Sequence, residues 1–264
     1  MSKKNKITLN KVLVVFVRLI IPIAVVLIIY LLTQVIAAFL ISIYPAFKHW
    51  DSFQANQWIN NSVTAQFWVT LVIEALTVVF LGIFLKRTKS SFKEIGLRGK
   101  LQLIDLGYSL AGFAAYFTVF YIVLSGVTKA IPSFNASQKQ DLGFSSSTSG
   151  NELWLVFISL VILPPIVEEI LFRGYLYTRL RDRMPKILRY PKVIAAVLTS
   201  LIFASFHLLE STSGLLWIAG LDTFVLSLVL VFLREKTNKL YASMGLHMIK
   251  NFLAFASLFL FHLS

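Results

Sequence analysis

Long apolar runs recur along this chain, and they set what it can fold into. About 20 consecutive apolar residues are enough to cross a bilayer as a helix. Seven such runs, at roughly 14–42, 65–85, 103–128, 152–177, 193–209, 214–233 and 240–262, predict an all-α polytopic transmembrane helical bundle. Composition agrees: 57% of residues are hydrophobic and 14% charged, where a soluble domain carries roughly 25% charged residues. Four lysines precede the first run, which is far longer than the h-region of a cleaved signal peptide and reads as an uncleaved signal-anchor. Its length and Pro22 predict tilt, a kink or an extension beyond the membrane.

The basic residues alternate between connections. Of the 25 Lys and Arg, nineteen fall in the N-terminus, Lys86–Lys100, Arg179–Lys192 and Arg234–Lys239. The opposite connections hold only Lys48, Lys129 and Lys139, and Arg18, Arg173 and Lys250 lie within spans. The asymmetry predicts a cytoplasmic N-terminus and an external C-terminus. It also accounts for the net charge of +13, which faces anionic inner-leaflet lipid. Basic and aromatic residues do not interleave, so nucleic acid is not an expected partner. With no cysteine, disulfides, thiolate metal sites and a cysteine nucleophile are excluded. The polar Ile131–Asn151 segment reads as an external connector, with a lid or substrate contact as the sharper alternative. No internal repeat supports an inverted-repeat transporter.

Charge inside a span is costly and usually functional. Glu168, Glu169 and Arg173 sit in the fourth run, beside Pro164-Pro165. Glu169 and Arg173 are four apart and share a helix face, so they can pair. Glu168 is rotated about 100° from Glu169, towards the bundle, where a carboxylate in low dielectric can act as a base. The prolines break or kink the helix and strip carbonyls of their donors, which then need polar partners. In the fifth run Phe203 lies one turn from His207, where its ring can fix the imidazole. In the seventh, His247 and Asn251 share a face; two donors aimed at one point would make an oxyanion hole. Helix–helix hydrogen bonding is the plainer role for that pair.

The three blocks, in this order, resemble the CPBP intramembrane proteases, the Abi-like family of CAAX prenyl endopeptidases and bacteriocin-processing enzymes. The family pattern is Glu-Glu-x-x-x-Arg, then Phe-x-x-x-His, then His-x-x-x-Asn, on successive transmembrane helices. Glu168, Glu169, Arg173, His207, His247 and Asn251 match all six polar positions, as do the flanks Phe172-Arg173-Gly174 and Gly245-Leu246-His247. The resemblance covers about 164–254 and leaves the first three spans unassigned.

It implies an intramembrane endopeptidase acting on a membrane-associated peptide or protein. Glu168 with His207 would activate water, His247 with Asn251 would stabilise the oxyanion, and Glu169 with Arg173 would hold the site together. No His-Glu-x-x-His pair is present, yet Glu168, His207 and His247 are candidate ligands should a zinc ion be used. The expected organisation is residues 1–150 for three transmembrane helices and an external loop, and 151–264 for a catalytic four-helix core. A bacterial plasma membrane is the expected location.

Two other functions compete: a non-catalytic bacteriocin-immunity or adaptor protein keeping the fold, and a proton-coupled transporter using Glu168 and His207 as a relay. Counting ~1.5 Å per residue from the basic ends puts His247 about 12 Å deep, Glu168 about 16 Å and His207 about 22 Å. The groups then converge only if the fifth span tilts or starts deeper, giving a mid-membrane site open towards the cytoplasm. Glu74 is expected to pair with Arg18. Lys250 is expected to snorkel, to pair with Asp222, or to tune substrate charge.

Overall fold

The computed structural model describes residues 3–138, 143–144, 148, 150–185, 189–209 and 214–262. Among these the regular structure is entirely helical, and seven helices are long and apolar enough to cross a membrane. We number the helices α1 (Lys3–Phe47), α2 (Ser52–Asn61), α3 (Val63–Arg87), α4 (Leu103–Ala130), α5 (Glu152–Arg183), α6 (Pro191–Leu208), α7 (Trp217–Thr237) and α8 (Tyr241–Leu260). All but α2 have the length of a span, and each coincides with one expected from the sequence.

Helix α1 takes the extended solution: 45 unbroken residues, about 67 Å at 1.5 Å per residue, more than the hydrocarbon needs. Helix α2 has no expectation behind it in the apolar pattern. It is created by a capping box, in which the Gln54 N–H donates to Asp51 Oδ1 (2.8 Å) and the Asp51 N–H to Gln54 Oε1 (3.1 Å).

Helices α4, α7 and α8 pack on one another, α6 packs on α7, and α1 packs on α3 with both contacting α5. The α4–α8 contact depends on Gly245. A Cβ there would stand 2.3 Å from Ser109 Oγ, and that hydroxyl donates to the carbonyls of Asp105 (2.9 Å) and Ala242 (3.0 Å).

On the basic face, the connection from α3 to α4 folds inward. Ile95 is fully buried, and the Gly96 carbonyl accepts from Leu240 N–H at 3.1 Å. Gly96 has φ +112°, and a Cβ on it would meet Arg234 Nε at 2.7 Å, so glycine is required for both conformation and space. Arg98 Nε donates to the Asn238 carbonyl (2.9 Å) and Tyr241 Oη to the Gly99 carbonyl (3.0 Å). Helix α8 therefore begins above this layer of chain rather than at the end of the bundle.

Two of the three expected depths agree once the helix ends are fixed. Helix α5 runs on to Arg183, six residues past the expected end, which lowers Glu168 to about 22 Å from the basic end. His207, sixteen residues from Pro191, lies at about 24 Å by the same rule. His247 joins them, its Nε2 3.8 Å from Glu168 Oε2.

Candidate active site

Helix α5 departs from regular α geometry twice. It contains two π segments, Ile158–Ile162 and Glu169–Leu176. Such wide turns are frequent at functional sites. Pro164 and Pro165 have no N–H, so the Leu160 carbonyl loses both its i+4 and its i+5 donor. Asn251 Nδ2 on α8 donates to that carbonyl at 2.9 Å. The bond answers the expectation that the prolines leave an acceptor in need of a partner. It also places one donor of Asn251 in helix–helix bonding.

The second π segment carries Glu169 and Arg173. Arg173 Nη1 donates to Glu169 Oε1 at 2.9 Å, and both side chains are fully buried. The guanidinium lies over the Phe203 ring, 4.1 Å from its centroid, so charge and ring stabilise one another in a dry setting. His247 Nδ1 is 3.1 Å from the same Oε1, which gives Glu169 two partners from two helices. A carboxylate accepts at that nitrogen, so the imidazole carries its Nδ1 proton and Nε2 is turned towards Glu168, 3.8 Å from Oε2. The division expected between the two glutamates holds: Glu169 is wholly buried, whereas Glu168 keeps 27% of its side chain exposed to a cavity.

Phe203 sits at the centre of the aromatic contacts. Its ring centroid is 4.7 Å from that of His207, 6.1 Å from that of His247 and 4.9 Å from that of Phe172. The predicted Phe203–His207 packing is therefore present. His207 Nδ1 is 3.2 Å from the Phe203 carbonyl, so that nitrogen is the donor and Nε2 is the acceptor in the neutral ring.

Glu168, His207, His247 and Asn251 all line one cavity of about 570 Å³. A smaller cavity of about 120 Å³ shares Glu168 and His207 in its wall. Two of the three spans unassigned by motif contribute to both: Tyr30 and Gln34 from α1, and Glu74 from α3. Tyr30 and Gln34 escaped the sequence reading, whereas Glu74 stood out as a charge within a span but was given another partner.

Three expectations need correction or sharpening. Glu74 does not pair with Arg18: among the described residues it has no ion-pair partner, and it faces the cavity. Arg18 lies a further three turns along α1 from Tyr30 and accepts, through its carbonyl, from Arg183 Nη1 (3.1 Å). Nor is the large cavity walled by the basic connections. Its lining rises past Asn251 to Phe255 and to Gly143 and Phe144 of the opposite loop. Lys250 pairs with Asp222 (3.2 Å).

Of the Ile131–Asn151 loop, residues 139–142, 145–147 and 149, with Lys139 among them, lie outside the described residues. Gln138 is tied down, donating from Nε2 to the Leu215 carbonyl (3.1 Å) and accepting from Ile218 N–H (3.3 Å). Phe144 packs against the Val156, Phe255 and Phe259 cluster. The loop thus contacts the cavity as well as connecting helices.

Among the described residues, no three His, Cys, Asp or Glu side chains are grouped to hold a metal ion.

Comparison with known proteins bears on the same region. Residues 150–253 match the family model of the Rce1-like type II CAAX prenyl endopeptidases. No curated protein and no solved structure matches the chain.

Proposed function

With a CPBP-type intramembrane protease domain over residues 150–253 in a multi-pass membrane protein, we propose that this chain hydrolyses a peptide bond of a membrane-associated peptide or protein in the cavity between α5, α6 and α8. The observation that carries the reading is the placement of Glu168 and His207 in one cavity wall with His247 and Asn251.

In this mechanism the Glu168 carboxylate takes a proton from water, which is oriented by His207 Nε2. The water oxygen bonds to the scissile carbonyl carbon, and negative charge develops on the carbonyl oxygen. The second Nδ2 hydrogen of Asn251 donates to that oxygen, whereas His247 spends its Nδ1 proton on Glu169 and donates there from Nε2 only as the imidazolium. Collapse of the tetrahedral adduct breaks the C–N bond, and Glu168 returns its proton to the leaving amine.

Glu169 and Arg173 do not touch substrate in this scheme. They fix the His247 ring, with Phe203 as the packing surface for both. No step requires a metal. Residues 151–264 supply the reacting groups, while α1 and α3, from 1–150, supply the facing wall. We assign the basic connections to the cytoplasmic face of a bacterial plasma membrane, on their charge alone.

The test is incubation of the detergent-purified chain with a quenched peptide library in ¹⁸O-enriched water, followed by mass analysis. Hydrolysis gives new C-termini carrying one ¹⁸O. A protein that binds peptides and leaves all of them intact would contradict the proposal.

A further inference from the structure

The cavity wall carries a cation for which the proposed mechanism has no use. On α8, His247, Lys250, Asn251 and Ala254 share one face and line the cavity together. The Lys250 ammonium is 3.2 Å from Asp222 Oδ2 on α7. The other oxygen of Asp222 accepts from Tyr116 Oη on α4. Residues from three helices therefore fix the position of one ammonium, whose side chain is 23% exposed.

As a fastening this arrangement is inefficient. The Tyr116–Asp222 bond already joins α4 to α7, and apolar side chains of similar volume hold helices together at least as well as a buried ion pair. An ammonium has three N–H donors, and among the described residues Asp222 is its one charged partner. The other charged groups on the cavity wall, Glu74 and Glu168, are carboxylates. An anionic group entering the cavity is repelled by those two and attracted by the Lys250 ammonium.

On the protease reading above, we propose that Lys250, held by Asp222 and Tyr116, is a subsite for a carboxylate of the peptide substrate. That carboxylate is either the C-terminal group or an Asp or Glu side chain. Lys250 stands about 4.5 Å along the helix axis from His247. Allowing for the reach of its side chain, the carboxylate lies within about three extended residues of the scissile bond.

The test compares peptides cleaved by the wild-type chain with two neutral counterparts of each. One is amidated at the C-terminus; the other has Asn or Gln for an acidic residue near the cut. The wild type is expected to favour the carboxylate-bearing peptide by about 10- to 100-fold in kcat/KM in one arm, and the arm identifies the source. In Lys250→Met that ratio falls towards one, and in Lys250→Arg most of it returns. Lys250→Met/Asp222→Asn, which leaves no uncompensated charge, gives the same answer should the single variant fold poorly. Equal cleavage in both arms by the wild type, or an undiminished ratio in the methionine variants, overturns the subsite while leaving the protease. Absence of any cleavage by the wild type removes both.

Discussion

His247 Nδ1 lies 3.1 Å from Glu169 Oε1, the same oxygen that accepts from Arg173 at 2.9 Å. One buried carboxylate thereby orients an imidazole on α8 and neutralises a guanidinium on its own helix. Removing it leaves a buried arginine without a counter-charge, a loss of about 3–5 kcal/mol. Glu169→Ala is expected to unfold far below the wild type in detergent, by thermal denaturation, whereas Glu168→Gln keeps the wild-type midpoint. Equal midpoints for Glu169→Ala and wild type would remove the structural role.

Asn251 and Pro164 are coupled through the Leu160 carbonyl. Asn251→Ala orphans that acceptor and is expected to cost about 1–2 kcal/mol. Restoring an N–H at the i+4 position with Pro164→Ala should recover part of the loss. A double-mutant cycle read by thermal unfolding checks this, and additive effects would show that the prolines do not explain the bond.

Gly245 allows α4 to approach α8. Gly245→Ala places a methyl group against Ser109 Oγ and is expected to destabilise by about 1–3 kcal/mol, as overpacking does. Ser109→Gly in the same chain should relieve much of it. The comparison of unfolding midpoints is direct, because neither residue lines the cavity.

The span count and the Glu169–Arg173 pair were legible in the sequence because each depends on local spacing: apolar run length for one, four residues on a helix for the other. The role of Phe203 as a platform for His207 was legible for the same reason. What the sequence hid depends on packing between distant elements. Nothing local shows that the α3–α4 connection folds against the start of α8, where Leu240 N–H donates to the Gly96 carbonyl. Glu74 was visible as a charge in a span, but its neighbours were set by how α1 and α3 lean on α5. Asn251 illustrates both halves: the prolines advertised an orphaned carbonyl in advance, but only the fold named the donor.

Glu74 offers a test of that packing. Because it lines the cavity opposite the motif residues, Glu74→Ala is expected to lower peptide cleavage by about tenfold, the size of one lost polar contact. Arg18→Ala should leave cleavage unchanged. The reverse pattern, measured as initial rates on one peptide, would restore the Arg18–Glu74 pairing.

The most direct measurement is the rate of peptide cleavage by Glu168→Gln beside the wild type, both purified in detergent and shown to share an unfolding midpoint. Loss of a general base removes about 10²- to 10⁴-fold in rate. A fall of at least about 100-fold with intact folding is the predicted result. Cleavage at the wild-type rate would mean that Glu168 does not activate the water, and the mechanism assigned to this cavity would be wrong.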